Sequence, residues 1–83
     1  MKIGLNTTMN KNMSNRLYSA LRARYKAQIA EAIADILNFF DNPVAVAEHP
    51  SMVDTVDGLV IKLSEAEDRL ETLELNFGRD YAE

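Results

Sequence analysis

Carboxylates at helical spacing are the side chains of this sequence that are best suited to chemistry. Glu65 is followed three residues later by Asp68, and Glu71 is followed three residues later by Glu74. On a helix, each pair would lie one turn apart on the same surface. Together with acids from a second helix, such pairs could bind Mg²⁺ through carboxylate and water oxygens, as in metal-dependent hydrolases.

The remaining residues do not complete such a site. A folded-back hairpin would offer Glu31 and Asp35, which we expect nearer its other end. The single histidine, His49, lies between Glu48 and Pro50 in a connecting segment and forms no nucleophile–base pair within local reach. Cysteine is absent and the three glycines are isolated, which argues against thiolate metal sites and phosphate-binding loops. We therefore predict a solvated acidic face and a protein that is not an enzyme, with no catalytic residue, cofactor or metal; a metal-dependent hydrolase is the third interpretation.

The length of the chain limits how much core it can form. Its 83 residues predict a single small domain. A chain of this size buries only about 60–65 % of the surface that it exposes when unfolded. Without disulfides or metals, such a domain needs unusually good helix packing or a partner subunit. No segment has the apolar length of a signal peptide or a membrane span, so we expect a cytoplasmic protein without a membrane partner.

Charge is distributed unevenly along the chain. Residues 1–30 carry six lysines and arginines and no acid, whereas residues 31–83 carry thirteen acids and three basic residues. The two parts therefore have net charges of +6 and −10, within a total of −4. This asymmetry indicates either that the two parts pack against each other or that the first part binds nucleic acid.

The first helix is predicted over residues 14–40. Ser14 is a suitable N-cap, strong helix formers follow it, and Pro43 disfavours helical backbone in the residue before it. One face carries large apolar side chains and a second stripe carries alanines, which is typical of a helix with more than one neighbour. Residues 1–13 show no helical period and are predicted to be a flexible tail, which leaves residues 14–83 as one helical-hairpin domain.

The second helix is predicted over residues 51–77 by a regular apolar seam. Ser51 and Asp54 resemble a capping box at its start, and Gly78 is placed as a left-handed cap at its end. Gly58 indicates either a close contact or a later helix start, since glycine inside a helix costs about 1 kcal/mol relative to alanine. The seam has alternating spacings of four and three residues and consists of Met52, Val56, Leu59, Leu63, Ala66, Leu70, Leu73 and Phe77.

Two kinds of partner would fit this seam. In a parallel coiled coil, Lys62 would face Glu67 of a second copy, but exposed pairs of this kind contribute only about 0.3–0.5 kcal/mol each. In an antiparallel hairpin, the first helix is tethered by a short connection, and its basic stretch, residues 16–26, lies beside the acidic stretch, residues 65–74. Because the hairpin accounts for both the seam and the charge asymmetry, we predict an all-α antiparallel two-helix hairpin.

A single hairpin leaves apolar side chains uncovered where the helices approach the connection. Leaving five of them in water forgoes roughly 7–15 kcal/mol, which is comparable with the stability of a whole domain. We therefore predict that two hairpins form a homodimeric four-helix bundle, mainly through the halves next to the connection. The predicted oligomer interface consists of Ile33, Ile36, Leu37, Phe40, Val53, Val60 and Ile61.

These patterns predict a small oligomeric scaffold or interaction module that acts as an accessory or regulatory subunit. The expected partner is a second copy of the chain, with another protein as a further candidate, and no small-molecule substrate is indicated. The alternative interpretation is a dimeric nucleic-acid-binding regulator that uses the basic part of the first helix, because phosphate contacts need clustered cations. The candidate contacts for nucleic acid are Lys11, Arg16, Arg22, Arg24 and Lys26.

Overall fold

Two long helices account for nearly all of the described chain. The computed structural model describes residues 4–42 and 51–82, with side chains from residue 12 onward within those ranges. Helix α1 spans Gly4–Asp41 and helix α2 spans Met52–Tyr81. Every residue in regular structure is therefore helical within the described ranges, as predicted for an all-α chain.

The two helices pack antiparallel along their length. Tyr18 lies against Gly78 near one end, and Phe40 shares a groove with Met52 near the other. The resulting particle is one helix pair thick, with extents of 63 × 15 × 15 Å. The predicted two-helix hairpin is confirmed.

The core of the hairpin is a single seam between α1 and α2. Among the described residues, the buried apolar side chains are Tyr18, Ala32 and Ile36 of α1 and Ala66 of α2. The two alanines allow the helix backbones to approach closely, because nothing beyond Cβ has to be accommodated. The predicted seam of α2 is buried or half-buried from Met52 to Leu73, so it faces α1 over that range.

The seam changes register near the end of α2. Phe77, which the alternating spacing assigns to the seam, is 47 % exposed, whereas Glu74, Gly78 and Tyr81 are partly buried. The contact with α1 therefore shifts from Phe77 toward Glu74, Gly78 and Tyr81 at this end, and the assignment of Phe77 to the seam was wrong.

Helix α1 begins at Gly4, ten residues before the predicted start at Ser14. Residues 4–13 thus have helical backbone, and the predicted helix start was wrong. Weak helix formers such as asparagine and threonine extend a helix that is already nucleated, because adding a residue costs far less than forming the first turn. The predicted flexibility of the tail is a separate property and stays a prediction; residues 1–3 lie outside the described residues.

Neither predicted cap of α2 forms in the way that the sequence indicates. Ser51 precedes the helix, but its side chain makes no capping hydrogen bond. Its carbonyl oxygen instead accepts hydrogen bonds from the backbone N–H and the hydroxyl of Thr55, at 2.9 and 3.2 Å. Gly78 has no positive φ, and the helix continues through it until the N–H of Ala82 donates to the Gly78 carbonyl at 3.1 Å.

The two glycines of α2 have different surroundings. A Cβ atom on Gly78 would lie 3.2 Å from the hydroxyl oxygen of Tyr18, so the missing side chain lets this tyrosine lie close against α2. A Cβ atom on Gly58 would meet nothing within 4 Å in the described chain. Neither a contact inside the described hairpin nor a later helix start therefore accounts for Gly58.

Alanine substitutions should separate the two glycines. We expect Gly58→Ala to raise the free energy of unfolding by about 0.5–1 kcal/mol, because alanine is the better helix former and has open space here. Gly78→Ala should raise the free energy of unfolding by less, since its Cβ would meet the Tyr18 hydroxyl. Urea denaturation at one chain concentration measures both. If Gly78→Ala gains as much as Gly58→Ala, Tyr18 does not restrict that position.

The close approach of the helices can be tested by enlarging one alanine. Ala66→Leu should lower the free energy of unfolding by about 1–3 kcal/mol, because the larger side chain overpacks the seam. Ala34→Leu is the matched control, since Ala34 is an exposed residue of α1 and leucine is nearly as good a helix former. Equal stability of the two variants in urea would contradict the packing described for Ala66.

Candidate interaction surface

One side of the hairpin carries apolar side chains at the end next to the connection. Phe40 of α1 is 64 % exposed and Val53 of α2 is 77 % exposed. Both line an open groove together with Met52, Val56 and Val60, whose side chains reach it from α2. The exposed apolar residues on this side, which we call the connection-end surface, are Ile33, Leu37, Phe40, Val53 and Val60.

Helical spacing brings these residues to one side. Ile33, Leu37 and Phe40 follow one another at intervals of four and three residues, so they lie along one stripe of α1. Val53 and Val60 are seven residues apart and form the corresponding stripe of α2. The antiparallel packing places the last turns of α1 beside the first turns of α2, so the two stripes form one surface.

Two of the predicted interface residues do not belong to this surface. Ile36 is 8 % exposed and packs in the core between the helices, so it is not available to a second molecule. Ile61 is half-exposed, but at about 100° per residue it lies around the circumference of α2 from Val60, on the outer side of the hairpin. The other five predicted residues are exposed and lie together.

The same side of the hairpin carries charged residues at its other half. Arg22 Nε donates a hydrogen bond to Glu74 Oε2 at 2.8 Å, in an ion pair whose side chains are about two-fifths exposed. Lys26 lines one groove with Arg22 and Glu74, and Glu67 and Glu71 line the next groove with Glu74. We call these five residues the charged half. Their positions agree with the predicted pairing of the basic and acidic stretches.

Sequence reasoning did not identify this charged half as part of one surface. The signal was a second seven-residue repeat beside the seam of each helix. In α1 the repeat runs through Lys26, Ile33 and Phe40, and in α2 it runs through Val53, Val60, Glu67 and Glu74. Both repeats are apolar next to the connection and charged away from it.

The candidate contacts for nucleic acid whose side chains are described do not form one cluster. Arg22 is engaged in the ion pair, and the exposed side chains of Arg16, Arg24 and Lys26 spread over about 160° of the circumference of α1. The side chain of Lys11 lies outside the described residues. Phosphate binding needs several cations on one surface, so this geometry favours nucleic acid less than the sequence did.

The acids singled out by the sequence are placed differently from our expectation. Glu31 and Asp35 line one groove with Glu65, on the other side of the hairpin, so they do not belong to a distant end. Lys62 and Arg69 line the same groove and supply positive charge. Among the described residues, no group of three or more acids and histidines is arranged so that it could hold a metal ion. His49 lies outside these ranges.

Neither α1 nor α2, as far as each is described, contains a segment long and apolar enough to cross a membrane. Compared with protein-family models, with curated proteins and with solved structures, the chain gives no match in any of the three.

The ion pair of the charged half should contribute little to the fold of one hairpin. We expect a double-mutant cycle with Arg22→Gln and Glu74→Gln to give a coupling energy of about 0.2–1 kcal/mol, because both side chains are partly solvated. The coupling should fall as salt rises from about 0.1 M to about 1 M, where screening is nearly complete over a few ångströms. A coupling that salt does not change would contradict the solvated geometry.

Proposed function

We propose that this chain is a self-associating interaction module, in which two hairpins form a four-helix bundle through the connection-end surface. The observation that carries the proposal is the clustering of Ile33, Leu37, Phe40, Val53 and Val60 on one side of the hairpin. In this proposal the protein is a non-enzymatic scaffold, and as a dimer it serves as an accessory or regulatory subunit.

The exposed area supports a partner. The chain exposes 6418 Å² of surface and has a mass of 9.3 kDa. A compact monomer of that mass exposes about 5,000 Å², so the excess is about 1,400 Å². A standard interface removes about 800 Å² from each partner. The excess is therefore larger than the area that one standard interface would remove from each copy.

The architecture supports the same conclusion. Stable domains consist of two or more packed layers around a core, whereas this hairpin is a single layer of two helices. Burying one fully exposed large apolar side chain contributes about 1.5–3 kcal/mol. These side chains are on average about half exposed, so the ten of two copies would contribute roughly 8–17 kcal/mol, which is comparable with the entropic cost of association. Two hairpins face to face give the second layer.

Nucleic-acid binding by α1 stays the alternative proposal. Its support is the exposure of Arg16, Arg24 and Lys26. The excess of acids in the chain opposes it, and each of these cations points in a different direction. Binding of labelled DNA or RNA at low salt, lost in Arg24→Gln, would favour it.

Charged substitutions in the connection-end surface should separate the two copies. We expect Phe40→Asp and Val60→Asp to give a monomeric mass in light scattering, because each would bury an unpaired carboxylate between the hairpins. Leu17→Asp is the matched control: Leu17 is 59 % exposed, but it lies 23 residues before Phe40 on α1 and about 140° around the helix from it.

The control and the helix content decide the interpretation. Circular dichroism should show that the variants remain helical at the concentration used for light scattering. A dimeric mass for both Phe40→Asp and Val60→Asp would overturn the proposed surface, as would a monomeric mass for Leu17→Asp alone. A monomeric mass for the unmodified chain would overturn self-association itself.

A further inference from the structure

The side of the hairpin that carries the connection-end surface changes in polarity along its length. This change restricts how two copies can be arranged. The connection-end surface is apolar, and the charged half follows it on the same side. Within the charged half, α1 contributes the cations Arg22 and Lys26, and α2 contributes the acids Glu67, Glu71 and Glu74. This side therefore differs in polarity between its two ends, and in the sign of its charges between its two helices.

We infer that the two copies lie with their connection ends together, around a two-fold axis that runs along the hairpin, so that Lys26 of each copy lies against Glu67 and Glu71 of the other. This inference rests on the proposed function and adds the orientation of the partner and a second set of contacts. Because the axis is parallel to the helices, each residue keeps its height along the bundle. The α1 helix of each copy faces the α2 helix of its partner.

The heights of the residues follow from the contacts within one hairpin. Tyr18 lies level with Gly78 and Arg22 lies level with Glu74, so each step forward along α1 matches a step back along α2. Lys26 is therefore level with position 70, between Glu67 and Glu71.

The apolar residues match under the same rule. Phe40 is level with position 56, which lies between Val53 and Val60 on α2. In the inferred arrangement the phenyl ring of each copy meets these two valines of its partner. Ile33 and Leu37 are level with positions 63 and 59, and so they flank the partner's Val60. Apolar side chains meet apolar ones at one end, and Lys26 meets acids at the other.

An axis across the hairpin would give the opposite result. Each helix would then lie antiparallel to the same helix of the partner. In the most extensive overlap, Lys26 would lie near the partner's Lys26, and Glu67 would lie near the partner's Glu71. Like charges would meet in the middle of the interface, where separation from water makes repulsion strongest. The connection-end surface of each copy would then face the far end of the other hairpin, and the apolar contacts between the two connection-end surfaces would be lost.

The chain offers a direct measurement of the axis, because it contains no cysteine and a single introduced cysteine carries a unique spin label. Ala20, Ala27 and Asn38 are exposed and point in nearly the same direction from α1. We expect the label-to-label distances in the three dimers to be nearly equal in dipolar electron paramagnetic resonance, since an axis parallel to the helix is equally far from each label. An axis across the hairpin would separate a pair of labels along the helix by about 3 Å for each residue between the label and the axis.

Charge reversal gives an independent test. Lys26→Glu should raise the dimer dissociation constant at least about tenfold at low salt, because the new carboxylate would face two acids of the partner. The triple variant Lys26→Glu, Glu67→Lys, Glu71→Lys should return the constant to within about threefold of the original, because the contacts are restored with their signs exchanged. Lys62→Glu makes the same charge change on the opposite side and serves as the control.

Each outcome separates the two proposals. Label-to-label distances that differ strongly among the three label positions would overturn the inferred orientation but leave self-association intact. A dimer dissociation constant that Lys26→Glu does not change would do the same. A monomeric mass at every concentration would overturn both. Equal distances with loss and recovery of affinity would support both.

Discussion

The constraint on which the rest of this structure depends is that two helices cannot enclose a core. Each helix can turn one stripe toward the other, and here that stripe closes around Ala32 and Ala66. The alanines bring the helices together, but they contribute little apolar area of their own. Larger residues that belong to neighbouring stripes, such as Phe40 and Val53, stay in contact with water. The uncovered surface is thus a direct consequence of a narrow seam.

The hairpin divides its polar and apolar residues in a way that suits the proposed partner. Apolar contacts are insensitive to direction, so they supply affinity without choosing between arrangements. Charged contacts contribute less affinity but discriminate strongly between partners and orientations. Placing the two kinds of residue at different ends of one side, as in the connection-end surface and the charged half, would allow the first to hold the proposed copies together and the second to set their direction.

The features that were predictable from the sequence are those that repeat. The seam of α2, the antiparallel hairpin and the approximate end of α1 follow from regular spacing, from charge asymmetry and from Pro43, each supported by several residues. Features that depend on one residue were less predictable. Gly78 has the position of a helix cap in the sequence, but in the structure it makes room for Tyr18, and a tertiary contact of that kind leaves no local signal.

The distinction between Ile33 and Ile36 shows why the candidate surface was only partly predictable. Both are large apolar residues within one turn, and the sequence assigns both to the interface. Only the direction of α2 decides that Ile36 points into the seam and Ile33 beside it. In the same way, the level of Glu31 relative to Glu65 depends on how the helices are aligned, which the sequence does not state.

The antiparallel path also sets the order in which the contacts can form. Phe40 and Met52, which line one groove, are close in sequence, whereas Arg22 and Glu74 are 52 positions apart. Closing the longer loop first would cost over 1 kcal/mol more conformational entropy, by a logarithmic dependence on loop length. The contacts between α1 and α2 are therefore expected to form first next to the connection and then progressively farther from it. The first part of the chain to become ordered would be the part that carries the proposed surface for a second chain.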